Sequence, residues 1–175
     1  MRTFEHVVIG KGLVGTATAK YLAKSSGSVL IIGPDEPTDF SSATMFASHY
    51  DQARAQRIIN FTPMWTQLSV DSVNAYPELE AESGITFHNG AGCIYIAESE
   101  DEYLASVPAQ AKQFNLPYQV LQNASDVAKL VPEFAFDRDV QGIYEPGPAG
   151  TINPRALVQA QLAVFEKSGG SVLRD

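Results

Sequence analysis

Cysteine is nearly absent: Cys93 is the only one in 175 residues. A lone thiol rules out an internal disulfide and has no companions with which to hold zinc. Between Gly92 and Ile94, in a strand-like run, it reads as a small buried residue. A basic excess is also missing. Twelve Lys and Arg stand against 20 Asp and Glu, for a net charge of -8. That balance argues against nucleic acid or an anionic membrane as partner, because either needs a basic face. No apolar run nears the length of a membrane span, and strand-like sequence begins by His6, which leaves no room for a cleaved leader. The expectation is a soluble protein of a reducing compartment, the cytoplasm. Neither a metal-ligand cluster nor a Ser-His-Asp constellation is evident, and there is no internal repeat or low-complexity tract. What the chain does have is 45% apolar residues in alternating helical and strand-like stretches. These suffice for one core or one and a half, of α/β or α+β class.

The chain is organised around its first thirty-odd residues. Val7 to Ile9 is a short apolar run without polar alternation, as expected of a parallel strand buried on both faces. It stops at Gly10, and Gly10-Lys-Gly12-Leu-Val-Gly15 leads into a helix of small residues, followed by a second apolar strand, Val29 to Ile32. Each glycine has its own task in a dinucleotide turn. Gly10 allows the tight turn, Gly12 lets a pyrophosphate approach bare backbone, and Gly15 lets the helix lie close on the sheet. The diphosphate then faces the helix N-terminal amides, with Leu13 and Val14 in the first turn. Gly15, Ala19 and Leu22 fall on one helix face. Lys11 reads as a solvent-facing side chain rather than a phosphate ligand. Many dinucleotide folds end the second strand with an acid that bonds the ribose, whereas this chain has Gly33-Pro34-Asp35-Glu36 there. Either Asp35 supplies the acid two residues late, or Asp35 and Glu36 merely solvate a turn.

Further along, residues 37–57 form a polar loop rich in small residues. In it Ser41 and Ser42 can bond phosphate or ribose oxygens, or simply serve the turn. Thr62-Pro63 opens a long amphipathic helix through Trp65, Leu68, Ser72, Tyr76 and Leu79, with Pro77 expected to kink or split it and Ser83-Gly84 to end it. Ile85 to His88 and Gly92 to Ala97 read as a hairpin about a tight glycine turn. Ser99-Glu-Asp-Glu102 reads as a capping box for a helix carrying Leu104, Val107, Ala111 and Phe114, with Pro108 as a break. Pro117 to Leu121 is a strand, Ser125 to Val131 a short helix, and Val140 to Tyr144 another strand. Pro146 to Gly150 is a turn or crossing point. Asn153 and Pro154 cap a last helix with the face Leu157, Gln161, Val164 and Phe165, and Ser171 to Leu173 reads as a third parallel strand.

Taken together, the fingerprint, the serine-rich loop, the helix end Leu79-Glu-Ala-Glu-Ser-Gly84, the Gly92 to Ala97 strand and Gly150-Thr-Ile-Asn-Pro154 resemble the D-amino-acid oxidase superfamily of FAD-dependent oxidoreductases. The likeness is greatest to its glycine oxidase and sarcosine oxidase branch. It covers essentially the whole chain and matches the N-terminal half of such proteins. It implies an α/β fold in which residues 1–60 and 151–175 form a Rossmann-like FAD-binding domain with a parallel sheet. Residues 61–83 would be a connecting helix, and residues 84–150 part of an antiparallel substrate domain. Sarcosine-oxidase-like members carry a Ser-His-x-x-x-x-Arg-x-x-Arg pattern whose last arginine binds the substrate carboxylate. Here Ser48-His49 and Arg54 to Arg57 fit that spacing. By the match Arg57 takes the carboxylate, and Arg54 and His49 lie near the flavin. The plain alternative puts both arginines, three apart on an incipient helix, in surface ion pairs with Asp51 or another acid. His49 can equally be a general base, a flavin attachment point or a hydrogen-bonded loop residue, and His6 and His88 read as structural. The implied cofactor is FAD and the implied partner a small amine or amino acid. An NAD(P)-dependent dehydrogenase is the competing reading; against it stand the hairpin and the lack of a basic residue after the second strand.

Overall fold

The computed structural model describes residues 2–37, 39, 41, 43–44, 47–98, 101–136 and 138–174. In chain order its elements are β1 (His6–Ile9), α1 (Leu13–Ser25), β2 (Val29–Ile32), β3 (Arg54–Gln56), α2 (Pro63–Ser83), β4 (His88–Asn89) and β5 (Cys93–Ala97). There follow α3 (Glu102–Phe114), β6 (Gln119–Leu121), α4 (Ala124–Leu130), β7 (Gln141–Glu145), β8 (Gly150–Ile152), α5 (Pro154–Lys167) and β9 (Ser171–Leu173). They form two compact units, Met1–Arg54 with Tyr76–Phe87 and Ile152–Asp175, and Ala55–Ala75 with His88–Thr151. Among the described residues no helix is long and apolar enough to cross a membrane.

The first unit is built on a parallel sheet in the order β1-β2-β9, with Val8 beside Ile31 and Ile31 beside Val172. Side chains alternate across a strand, so these three share a face. On it they meet Ala19 of α1 and Phe165 of α5 in one apolar cluster. A buried hydrogen bond from Thr16 Oγ1 to Gln161 joins the two helices. The third parallel strand read from Ser171 to Leu173 is in place beside β2. The double-sided burial expected of β1 is not: Val7 is 53% and Ile9 85% exposed. Among the described residues β1 pairs with β2 alone, and the helix-facing cluster takes only Val8 from it. α5 starts as its sequence dictates, with the Asn153 side chain accepting from the Ala156 amide and Pro154 in the first turn.

In the second unit β7 is the centre of an antiparallel sheet, flanked by β5 and β6, with Ile143 opposite Tyr95 and Val120. Tyr103, Val107 and Ala111 of α3 bury against Ile143 and Ile59. Leu121, Val127 and Val140 make a second cluster. The expected hairpin over residues 85 to 97 does not form: β4 lies beside β8, while β5 pairs with β7. Gly92 adopts a positive φ of 93° and gives its amide to Ala149 O at 2.8 Å, which turns the chain out of one sheet into another. Two short strands, β3 and β8, escaped the sequence reading.

Both internal prolines are absorbed. α2 continues through Pro77 and α3 through Pro108, because neighbouring buried side chains, Val73, Tyr76 and Leu79 in α2 and Val107 in α3, hold the turns on either side. The buried face of α2 differs from the expected one, since Trp65 and Leu68 are exposed and Thr66 is buried. α3 opens on Asp101, whose carboxylate accepts from the Leu104 amide; Ser99 and Glu100 of the expected capping box lie outside the described residues. The unit boundaries fall inside α2 rather than at its ends: Tyr76 packs edge-on against Phe87 at 5.2 Å, so the last turns of the helix go with the first unit.

Candidate functional site

The glycine turn is shaped by its contacts. Gly10 has φ +106°, a backbone that side chains disfavour. At Gly15 a Cβ would stand 1.9 Å from the Gly10 carbonyl oxygen, so the helix can sit where it does only without one. Gly12 is different. A Cβ there would meet nothing closer than the His49 ring, at 3.8 Å, so its bareness opens space in front of the helix. No side chain caps α1, and no acid occupies its first turn. Its free amides therefore point their partial positive charge into that space.

That space is a cavity of about 530 Å³ lined in part by Gly10, Gly12, Asp35, Glu36, His49 and Tyr50. It gathers the expected Gly10, Gly12, Asp35 and His49 in one place, with Leu13, Val14 and Gly15 forming the helix start beside it. Lys11 is not solvent-facing: its side chain is 6% exposed and is ion-paired with Asp35. The hydrogen bond from Lys11 holds the Asp35 carboxyl below the usual carboxylate range, and Arg174 at 3.3 Å adds to the effect. A side chain at Gly33 would press on Lys11, with its Cβ 3.0 Å from both the Lys11 amide and Cβ, so an acid at this strand end lacks room. Glu36, ion-paired with Arg155, lines the same cavity.

His49 is 5% exposed, and among the described residues its Nδ1 has no hydrogen-bond partner. Burial lowers its pKa below the ordinary value, while the Glu36 carboxylate pulls the other way. Ser41 is engaged locally, its hydroxyl donating to Asp39 Oδ1 at 2.7 Å; Ser42 lies outside the described residues. Arg54 stands on the extended β3 rather than on a helix and makes a two-pronged ion pair with Asp51 at 2.6 and 2.8 Å.

Arg57 belongs to the second unit. Its guanidinium carbon lies 4.4 Å from the Tyr103 ring centroid and 5.6 Å from that of Tyr95. The rings meet edge to face at 4.5 Å. A guanidinium held over an aromatic ring in this way keeps N–H donors available to a carboxylate. Behind this platform, Tyr103 donates to the buried carboxylate of Glu145 at 3.0 Å. Burial, then Glu145, push the Tyr103 phenol well above its ordinary pKa, so it stays a donor. Burial also raises the half-buried Cys93 thiol, so it is not a thiolate nucleophile. Sequence reasoning missed Glu36, Tyr95, Tyr103 and Glu145. The one signal for Glu145 was an acid closing an apolar strand ahead of Pro146. Among the described residues no group of His, Cys, Asp and Glu is arranged to hold a metal.

The bare turn, the uncapped helix and the buried histidine facing it fit a dinucleotide diphosphate. Residues 5–175 match the FAD dependent oxidoreductase family. The N-methyl-L-tryptophan oxidase of Yersinia pestis (strain Pestoides F) is 22% identical over 171 residues, which cover 97% of this chain and 44% of that protein. By structure, the L-proline dehydrogenase of P. horikoshii superposes with a TM-score of 0.76 at 20% identity, over 99% of this chain and 44% of the other. Glycine oxidase from Bacillus cereus gives 0.73 at 18%, over 98% and 46%. These likenesses are of fold. The chain thus spans less than half the length of the relatives it matches, and the cofactor of the matching family is FAD. With nearly its entire length matched, the chain belongs to the FAD dependent oxidoreductase family.

Proposed function

We propose that this chain is the nucleotide-binding portion of an FAD-dependent oxidase or dehydrogenase of a small amine or amino acid that carries a carboxylate. The observation that carries the reading is the turn in which Gly15 has no room for a Cβ while Gly12 leaves the helix start open. A diphosphate held there would accept hydrogen bonds from the amides around Gly12, Leu13 and Val14, with the helix dipole favouring its charge. His49 Nδ1, buried beside Gly12, adds a polar contact on the same side. Asp35 or Glu36 would take the ribose hydroxyls.

When bound, the flavin supplies the acceptor for the hydride that leaves the carbon bearing nitrogen, and the substrate departs as an imine that water hydrolyses. The residues of this chain bind and orient. Arg57 meets the substrate carboxylate with the N–H donors of a guanidinium held beside the Tyr103 and Tyr95 rings. That fixes the position of the neighbouring reactive carbon. In a protein of net charge -8 a carboxylate needs such a local cation to overcome the general field.

An absorbance scan and nucleotide extract of the purified full-length protein, rather than of this portion alone, test the cofactor: flavin bands are expected, and nicotinamide as the sole nucleotide overturns the reading. Arg57→Ala tests the substrate half. Loss of a charge-assisted pair costs on the order of 2 to 5 kcal/mol, so KM for the carboxylate substrate should rise about a hundredfold with flavin content unchanged. An unchanged KM assigns Arg57 to packing alone.

A further inference from the structure

Glu145 closes β7 and is 3% exposed, and among the described residues neither the lining of the cofactor cavity nor a surface ion pair includes it. A carboxylate that deep is costly unless its oxygens are satisfied. Here they are. Oε2 accepts from the amides of Ile58 and Ile59, both at 2.9 Å, the two residues directly after Arg57. Oε1 accepts from the Tyr103 hydroxyl at 3.0 Å, which also lies 3.0 Å from the Ile59 carbonyl. Tyr103 is the ring nearer to the Arg57 guanidinium. The second ring is held independently, by Tyr95 donating to Asp101 Oδ2 at 3.1 Å.

We propose that Glu145 is the positioning residue for Arg57, fixing with one carboxylate both the backbone that carries the arginine and the ring on which its guanidinium lies. The proposal rests on the reading of Arg57 as the carboxylate anchor. An arginine on a flexible stem loses rotamer freedom when it is fixed. A support that holds the stem's origin and its end together removes that loss before substrate arrives, so the effect belongs in substrate binding rather than in the chemical step. Glu145 touches neither substrate nor flavin in this scheme; it acts only through Arg57 and Tyr103. The geometry also separates shape from charge. A glutamine at 145 can turn its oxygen to both amides and donate from nitrogen to the Tyr103 oxygen, whose proton then goes to the Ile59 carbonyl. A leucine there can do none of this.

The ring current of Tyr103 and Tyr95 marks the arginine directly, because a stacked guanidinium has its Nε–H and Cδ–H signals moved upfield. In the full chain, Glu145→Leu should abolish most of that shift for Arg57, and Glu145→Gln should keep most of it. In the flavin-loaded enzyme, Glu145→Leu should raise KM for the carboxylate substrate about tenfold while kcat changes less than about threefold, with Glu145→Gln restoring most of the loss. Should Glu145→Leu fail to fold, Tyr103→Phe takes its place: removing only the hydroxyl cuts the tie between Glu145 and the ring while the ring stays packed, which should shift the Arg57 signals and raise KM about threefold. Arg57 signals and KM unmoved in the folded Leu variant, or in Tyr103→Phe, overturn the proposal. So does a Leu variant that loses thermal stability and flavin alone. Failure of the underlying reading looks different: Arg57→Ala would then leave KM unchanged, whatever Glu145 variants do to the arginine signals.

Discussion

Gly15 can carry no side chain as the fold stands, because even a methyl group would overlap the Gly10 carbonyl oxygen at 1.9 Å. Gly15→Ala should therefore push α1 off β1, cost about 1–3 kcal/mol as overpacking does, and lower flavin affinity at least about tenfold. Fluorescence titration with FAD measures it. Lys11→Ala loses its ion pair with Asp35 and a buried stem but leaves the close approach of turn and helix intact, so affinity within a few-fold of the parent is expected; equal losses in the two variants would mean that charge rather than close approach governs the turn. At the same scale, His49 has a pH signature. Its folded pKa is lowered by burial, so between that value and the unfolded value of about 6.5 the unfolded chain binds the extra proton. The stabilisation is complete above about pH 6.5 and is lost as the pH falls through the folded pKa. Denaturation midpoints measured from pH 5 to 7.5 should rise with pH, and His49→Gln should flatten that rise. The sequence showed His49 and its neighbours Arg54 and Arg57 as a spacing. The plain alternative, an ion pair with the nearby Asp51, holds for Arg54. The sequence could not show that Arg57 would find two tyrosines about 40 residues away, since nothing local encodes those partners.

Helix ends were legible, helix interiors less so. Caps depend on two or three adjacent residues, and Asn153-Pro154 performs as its chemistry predicts, with the side chain accepting from the Ala156 amide at 3.0 Å. Asn153→Ala should cost about 1 kcal/mol, a fall in Tm of about 2–4 °C, by calorimetry. The α1–α5 joint makes a sharper prediction. Thr16 Oγ1 donates to Gln161 inside the packed surface, so Thr16→Val leaves a buried amide unsatisfied and should cost about 1–3 kcal/mol in urea denaturation. Adding Gln161→Leu should recover part of that loss; no recovery would mean that the pair does not couple the helices. Pro77 and Pro108 misled for the complementary reason. A proline's local penalty of about 3 kcal/mol is fixed by its ring, whereas the packing of Tyr76, Leu79 and Val107 that outweighs it comes from distant sequence.

For the molecule as a whole, an acidic chain holding an anionic cofactor must attract it locally. At the glycine turn the amide end of α1, which carries no acid in its first turn, offers the attraction that phosphate needs. ADP, which has the diphosphate, should therefore compete with FAD for the protein, and FMN, with one phosphate, about tenfold less well; displacement followed by flavin fluorescence decides it. FMN competing as well as ADP would place the flavin end, not the diphosphate, in charge of affinity. The amino-acid sequence by itself determined the β1-α1-β2 unit, the glycine turn, the late parallel strand β9 and hence the family, because each is written in contiguous residues whose period and glycine spacing report backbone geometry directly. Tertiary structure alone decided that residues 85–97 split between two sheets, that Lys11 turns in to Asp35, and that Glu145, Tyr103 and Arg57 form one assembly. Those outcomes are set by which surfaces meet once strands far apart in sequence pair. A buried carboxylate or a stacked guanidinium is stable only where such distant partners supply its donors and its rings.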